Sequence, residues 1–450
     1  MFQFQHDSII KVIRDANAKM TAYMLNPSNR IYAILIAIFL LGNLFQALNR
    51  AVFIDAADFN GFIDPAIGAK FLDEDIFITA PNNSYSAFFY VVMSFFSIFA
   101  RWFASLLWGV ANIAFYLWSI AVINDILLKT QPDRKKLDYF IAPILTVPIF
   151  AINIHMGQTN MIVLLCVLVS MFYLYLNKHL KSALFLAFAI AYKTTPLIFV
   201  FFLLLKRKFR TAAYTMIFSL LFLIVVPMFF YTPKKSIHFF RSWSEMVIEP
   251  FFTGQKVKST NTGYYHTNQS LDAFLNRHFT SYGIEHYGRA HHFTDFPVLT
   301  EEEALTAGKV IKLVILALLA FIAIRSRDVH SRLFPFELSL FFISILFISP
   351  SSWTNHYILA LPAYVAVVNE IVILPRGTGG RKLLIWFLAA GTGIMLLGWG
   401  RYLQSFSFYF LGITVFFIGL VIYTLFFAGR VRVNQQYSFK GNDQTTPVEI

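Results

Sequence analysis

Two carboxylates, Asp55 and Asp58, stand just beyond the first membrane-length apolar stretch, residues 31–48. Charged residues make up only 14% of the chain, so a pair of acids at such a boundary has two readings. Either it is a solvated cap, or one member is a general base working at the membrane surface, where partial burial tunes a carboxylate. Further along, His155, Gln158, Asn160, Lys193, Trp353, Asn355 and His356 fall at the margins of apolar runs. Polar groups at membrane depth are costly, and each is a functional candidate. Lys193 is either a side chain that snorkels to the nearer interface or a point charge for a lipid-linked phosphate, assisted by a helix N-terminus after Pro196. His155, Gln158 and Asn160 also suit helix capping or interhelical hydrogen bonding, and a lone histidine such as His356 also suits a structural role. Asp73-Glu74-Asp75 is an acidic triplet able to chelate a metal, or an acid run facing water. His291 and His292 have no convincing ligand context.

The elements that must position these residues are membrane helices. The chain has 450 residues, 57% hydrophobic and 18% aromatic with 52 Phe, and a mean hydropathy of +0.61. Repeated apolar runs of about 18 residues or more read as transmembrane helices, which makes this an all-α, polytopic membrane protein. Its net charge of +13 is not a nucleic-acid signature, because Lys and Arg collect in cytoplasmic loops and orient such chains. Cys166, the single cysteine, lies in an apolar run and suits an inert buried thiol.

The apolar segments fall at 31–49, 102–127, 137–154, 160–177, 181–193, 195–206, 211–231, 303–324, 333–349, 356–374, 382–400 and 406–428. Basic clusters alternate with them: Lys129/Arg134/Lys135/Lys136, Lys178/Lys181, Lys206/Arg207/Lys208/Arg210, Arg325/Arg327/Arg332, Arg376/Arg381/Lys382 and Arg430/Arg432. The positive-inside rule assigns all of these to the cytoplasm. Residues 181–205 have the length of one helix, yet basic clusters flank both ends. Pro196 disfavours helical geometry in the residue before it, so two half-length helices are expected, turning at Tyr192–Pro196. About twelve membrane helices result, with both termini inside. Residues 1–30 suit a cytoplasmic amphipathic segment with no cleavable signal peptide, 31–428 a single transmembrane domain, and 429–450 a polar cytoplasmic tail. Residues 85–100 are expected to be interfacial or re-entrant. Two large loops, 50–85 and 232–302, then face outward, on the same side as the costly polar residues. An active site is expected there, and the Tyr-, Phe- and His-rich 232–302 suits a sugar-binding lid.

Five motifs occur in order: Asp58-Phe59-Asn60-Gly61-Phe62, His155-Met156-Gly157-Gln158-Thr159-Asn160, Lys193-Thr194-Thr195-Pro196, Asn268-Gln269-Ser270-Leu271 and Ser349-Pro350-Ser351-Ser352-Trp353-Thr354-Asn355-His356. Together they resemble glycosyltransferase family 87, a membrane-embedded family of the GT-C type, over residues 30 to 375. The resemblance implies a GT-C-type fold and an inverting transfer of a hexose, with mannose the sugar of the best-known type. The donor would be a polyprenyl-phosphate sugar and the acceptor a hydroxyl on a lipid or glycan at the outer face of the plasma membrane. It implies no nucleotide sugar, no cofactor and no required metal. Asp58 matches the presumed base, and Asp55 falls to a supporting or solvated role. Gln158, Asn160 and Lys193 would line the cavity, and His356 would contact donor phosphate or sugar. His155, Asn268, Gln269 and Trp353 join the donor- and substrate-binding set as members of matched motifs. Asn355 departs from the histidine of many relatives, and Phe62 and Ile63 from their tyrosines, so this chain offers different side chains to donor and acceptor at those positions. The reading from another class is a transporter or flippase of lipid-linked sugars, which commonly shows repeated halves; no internal repeat is visible. A polymerase or ligase of the same superfamily would not explain the lysine-x-x-proline hairpin. Oligomeric state is not legible.

Overall fold

The computed structural model describes residues 9–54, 58–72, 74–79, 84–131, 137–249, 265–282 and 299–429. Asp55, Asp73, His291, His292, much of the 232–302 segment and the tail from 430 onward lie outside the described residues. No strand occurs among the described residues; an isolated bridge pairs Asn268 with Trp353. In hydrocarbon every backbone N–H and C=O must be satisfied within the protein, which leaves helices as the solution for so apolar a chain.

Every apolar segment expected from the sequence folds as helix. The amphipathic α1 (Ile9–Leu25) leads into α2 (Pro27–Asn49), which continues through a π turn, Arg50–Ile54. Then follow α3 (Asp58–Phe71), α4 (Ile76–Thr79), α5 (Ala87–Met93), α6 (Arg101–Thr130), α7 (Ile141–Met156), α8 (Asn160–Tyr175) and α9 (His179–Tyr192). The chain goes on through α10 (Ile198–Leu205), α11 (Phe209–Leu220), α12 (Pro233–Val247), α13 (Leu271–Phe279), α14 (Glu301–Arg325) and α15 (Phe334–Ile348). It ends with α16 (Leu361–Ile373), α17 (Gly379–Leu397) and α18 (Phe408–Phe426). Seven helical stretches among the described residues are long and apolar enough to cross a membrane, and shorter apolar helices lie among them. The chain is an all-α polytopic membrane protein.

Burial sorts the helices by role. α8 and α15 are apolar on all sides and buried along almost their whole length, the pattern of a helix enclosed by others. α2 presents Ile31, Leu35, Ile38, Leu41 and Phe45 outward, as a lipid-facing helix must. α17 and α18 pack as a close antiparallel pair: a Cβ on Gly412 would lie 2.5 Å from the Gly391 carbonyl oxygen, so small residues let the backbones touch.

The 181–205 stretch is broken as expected. α9 ends at Tyr192, Lys193 is extended (φ −151°, ψ 123°), and the chain re-enters helix through a 3₁₀ turn, Thr195–Leu197, with Pro196 inside it. Irregular backbone at such a place is tolerated where it is buried in protein or lines a cavity. The 50–85 segment is more ordered than its expectation as a loop: Asp58 opens a 14-residue helix. Residues 87–98 form short helical pieces rather than a span.

Candidate functional site

The turn between α7 and α8 is the hub. α7 ends in a left-handed cap at Gly157 (φ 68°), whose Cβ, if present, would come within 2.7 Å of the Phe59 Cβ. Only glycine allows both that backbone and that approach. Trp108 of α6 donates from its indole N–H to the Gly157 carbonyl at 2.9 Å, and Phe59 packs against Trp108 with ring centroids 6.3 Å apart. The start of α3 is thereby pressed onto the turn. The Asn60 amide adds a bond to the Ala51 carbonyl, 3.1 Å.

This packing puts Asp58 beside Gln158, whose side-chain amide donates to the Asp58 carboxylate. Asp58 stands in the first turn of α3, where the helix dipole favours a negative charge. Burial nonetheless pushes its carboxyl above the ordinary value, while Gln158 and the positive charges of Arg50 and Lys193 pull it back. A partly desolvated, hydrogen-bonded carboxylate of this kind suits proton abstraction. The Gln158 side-chain oxygen is buried with no hydrogen-bond partner. A bound hydroxyl could supply one.

Lys193 lies on the other side of the same turn. Its Nζ donates to the Asn160 side-chain oxygen at 2.8 Å and stands 3.2 Å from His356 Nε2. A hydrogen bond between two nitrogens needs one of them to accept, so the pair holds less than two full positive charges. The Tyr85 ring lies 5.8 Å from the ammonium, and its hydroxyl is 3.4 Å from Thr159 Oγ1.

A file of amides fixes Lys193 from behind. Asn112 donates to the Trp108 carbonyl (2.9 Å), Asn153 to Asn112 (3.1 Å) and Asn160 to Asn153 (3.1 Å). Asn160 also donates to the Asn355 carbonyl at 3.2 Å. Both N–H bonds of Asn160 are thus engaged, which turns its oxygen toward Lys193. All three asparagines are buried, and the file crosses from α6 through α7 to α8.

The remaining motif residues make other contacts. Asn355 is buried with its side-chain oxygen unpartnered. His155 is half-buried near the end of α7, within reach of the Arg50 charge, and its Nδ1 has no partner. Trp353 leads into the 3₁₀ turn Thr354–Ala360; its backbone nitrogen lies 3.3 Å from His356 Nδ1. Asn268 and Gln269 meet this loop rather than Asp58 or Lys193. The Ser352 N–H donates to the Asn268 side-chain oxygen (3.0 Å), the Gln269 N–H to the Ser352 carbonyl (2.7 Å), and the Tyr357 hydroxyl to the Gln269 carbonyl (2.7 Å). Fully buried Arg277 clamps this assembly, donating to the Tyr265 and Asn268 carbonyls and to Ser407 Oγ, each at 2.7 Å. These two motif residues therefore brace the loop that carries His356.

Of the acidic triplet, Asp75 is engaged by His238 at 2.6 Å and by the Phe77 N–H at 2.8 Å. Among the described residues no group of three or more His, Cys, Asp or Glu is gathered to hold a metal. The sequence patterns do not single out Arg50, Tyr85, Asn112, Asn153 or Arg277, and they carry Gly157 only as a member of its motif. Asn112 and Asn153 carried a signal, being amides inside apolar helices; Tyr85 carried none.

A cluster of buried and half-buried polar side chains at one end of an all-helical membrane bundle, a carboxylate on one side and a lysine–histidine pair on the other, has the character of a membrane-embedded transferase site. The model of glycosyltransferase family 87 matches residues 83–350, more than half of the chain, and the chain belongs to that family: it is a membrane glycosyltransferase. The matched region takes in Gln158, Asn160, Lys193, Asn268 and Gln269, with Asp58 ahead of it and Trp353 and His356 just beyond. No curated protein and no solved structure matches the chain.

Proposed function

We propose that this glycosyltransferase moves a hexose, with mannose the first candidate, from a polyprenyl-phosphate sugar to a hydroxyl of a lipid or glycan acceptor. The observation that carries the reading is the α7–α8 turn, which holds a carboxylate on one side through Gln158 and a cation on the other through Asn160. Asp58 takes the proton of the acceptor hydroxyl as that oxygen attacks the anomeric carbon. The bond from that carbon to the lipid-phosphate oxygen breaks on the opposite face, with inversion. The departing phosphate gains negative charge and is met by Lys193 and His356, already fixed before reaction, so that little reorganisation is needed. This arrangement calls on no metal. The site faces the exterior of the plasma membrane, opposite the basic connectors, with both termini in the cytoplasm.

The broken α9–α10 hairpin is a feature that a transporter of lipid-linked sugars would share. Purified protein supplied with polyprenyl-phosphate mannose and candidate lipid acceptors distinguishes the two. The enzyme releases polyprenyl phosphate in step with glycosylated product, and Asp58→Asn folds without turnover. Full activity in Asp58→Asn would sink the base assignment. Movement of intact donor across vesicles without product would favour transport. A cysteine at Thr194 that labels from the cytoplasmic side alone would refute the orientation.

A further inference from the structure

At the bundle end opposite Asp58, two connecting turns have the same build. One joins α8 to α9 and the other joins α10 to α11, with Asn177 (φ 55°) and Arg207 (φ 56°) in the left-handed region. The Lys178 N–H reaches back to the Tyr173 carbonyl at 2.9 Å, and the Lys208 N–H to the Leu203 carbonyl at 2.8 Å. Because α10 returns the chain, α9 and α11 run in the same direction and pack together, so their first turns lie side by side. His179 Nδ1 ties them, 2.8 Å from Thr211 Oγ1.

Between these turns is a groove of about 300 Å³ lined by Lys178, His179, Leu180, Lys181, Arg210 and Tyr214. Lys178, Lys181, Lys208 and Arg210 have no acid within ion-pair distance among the described residues, whereas Lys206, in the second of these turns, is paired with Glu337. Orientation in a membrane asks for basic residues at this end but not for their convergence on a concavity. Gathered like charges repel unless an anion lies among them, and neither helix has a side-chain cap on its first turn. Leu180, in the lining, is 56% exposed, and Phe209, next to Arg210 in the sequence, is 60% exposed. Cations around a hollow with exposed apolar side chains beside them match a molecule that carries both a phosphate and acyl chains.

We propose that this groove binds the phosphodiester headgroup of an anionic phospholipid. Arg210 presents a planar fork that suits a phosphate oxygen pair, and Lys178 and Lys181 add point charges. The Tyr214 hydroxyl is a further donor. Nothing in this assignment depends on the transferase mechanism, which uses the other end of the bundle.

The test is native mass spectrometry on the full-length protein in detergent, titrated with phosphatidylglycerol and with phosphatidylcholine of the same acyl chains. Wild type should retain phosphatidylglycerol preferentially, and Lys178→Gln/Lys181→Gln/Arg210→Gln should weaken retention roughly tenfold or more. A charge-matched variant elsewhere, Lys309→Gln/Arg376→Gln/Lys382→Gln, should bind as wild type does. If the first variant is not monodisperse, Arg210→Gln alone, at an exposed position, carries the test with a smaller loss. Equal retention of the two lipids, wild-type binding by the groove variants, or an equal loss in the control would overturn the site. Displacement of the lipid by equimolar inorganic phosphate would overturn the lipid assignment in favour of a free anion.

Discussion

The two ends of the helix bundle treat buried charge in opposite ways. At the basic end, Lys206 meets Glu337 at 2.5 Å with both side chains fully buried. Arg332 meets Glu370 at 2.5 Å, and the Tyr423 hydroxyl donates to that same carboxylate oxygen at 2.5 Å. Each of these ions faces its opposite. At the other end Asp58 is held by an amide and Lys193 by an amide and an imidazole, with the Gln158 and Asn355 side-chain oxygens left unpartnered. A closed ion pair fixes a structure; an acid and a cation each held by neutral groups keep their charge available to a third party. Burial therefore does not separate the functional set from the structural one, but the identity of the partners does.

The largest effects should fall on opposite observables at the two ends. Asp58→Asn should lower turnover by about 10²- to 10⁴-fold while leaving the unfolding temperature near that of wild type. Glu337→Gln strands Lys206 without its acid and should cost about 3–5 kcal/mol of stability, with activity per folded molecule retained. The joint replacement Lys206→Met/Glu337→Leu should recover most of that loss. Were Glu337→Gln as stable as wild type, the contrast between the ends would collapse.

A smaller effect tests the asparagine file. Asn153→Leu removes one of the two acceptors that hold the Asn160 amide, leaving the Asn355 carbonyl, and loosens the oxygen facing Lys193, so kcat should fall roughly tenfold with less change in KM. Loss of stability with unchanged kcat would make the file a packing device alone. The smallest effect concerns pH. Asp58 must be ionised to act as a base, so activity should fall as pH drops through its raised pKa. Arg50 lowers that pKa, and Arg50→Gln should therefore move the acid limb of the rate profile to higher pH. A shift to lower pH would contradict the placement of Arg50.

Hydropathy and charge alternation in the sequence determined where the apolar helices fall, because the cost of unsatisfied backbone in hydrocarbon leaves few alternatives. They also determined the break at Lys193, since Pro196 and the flanking basic clusters disfavour one straight span. Asp58, Gln158, Asn160, Lys193 and His356 were visible as costly polar residues at the margins of apolar runs. Their partners were not, because hydrogen bonds spanning up to 195 residues of sequence depend on how helices cross, and local patterns do not encode crossing. The tertiary structure alone decided that Gln158 faces Asp58 while Asn160 faces Lys193, although a single residue separates the two. It alone placed Asn268 and Gln269 behind the Trp353 loop and brought Asn112 and Asn153 into line. The physical reason is the glycine turn at 157, which reverses the chain tightly enough to aim neighbouring side chains at different partners, Gln158 at Asp58 and Asn160 at Lys193.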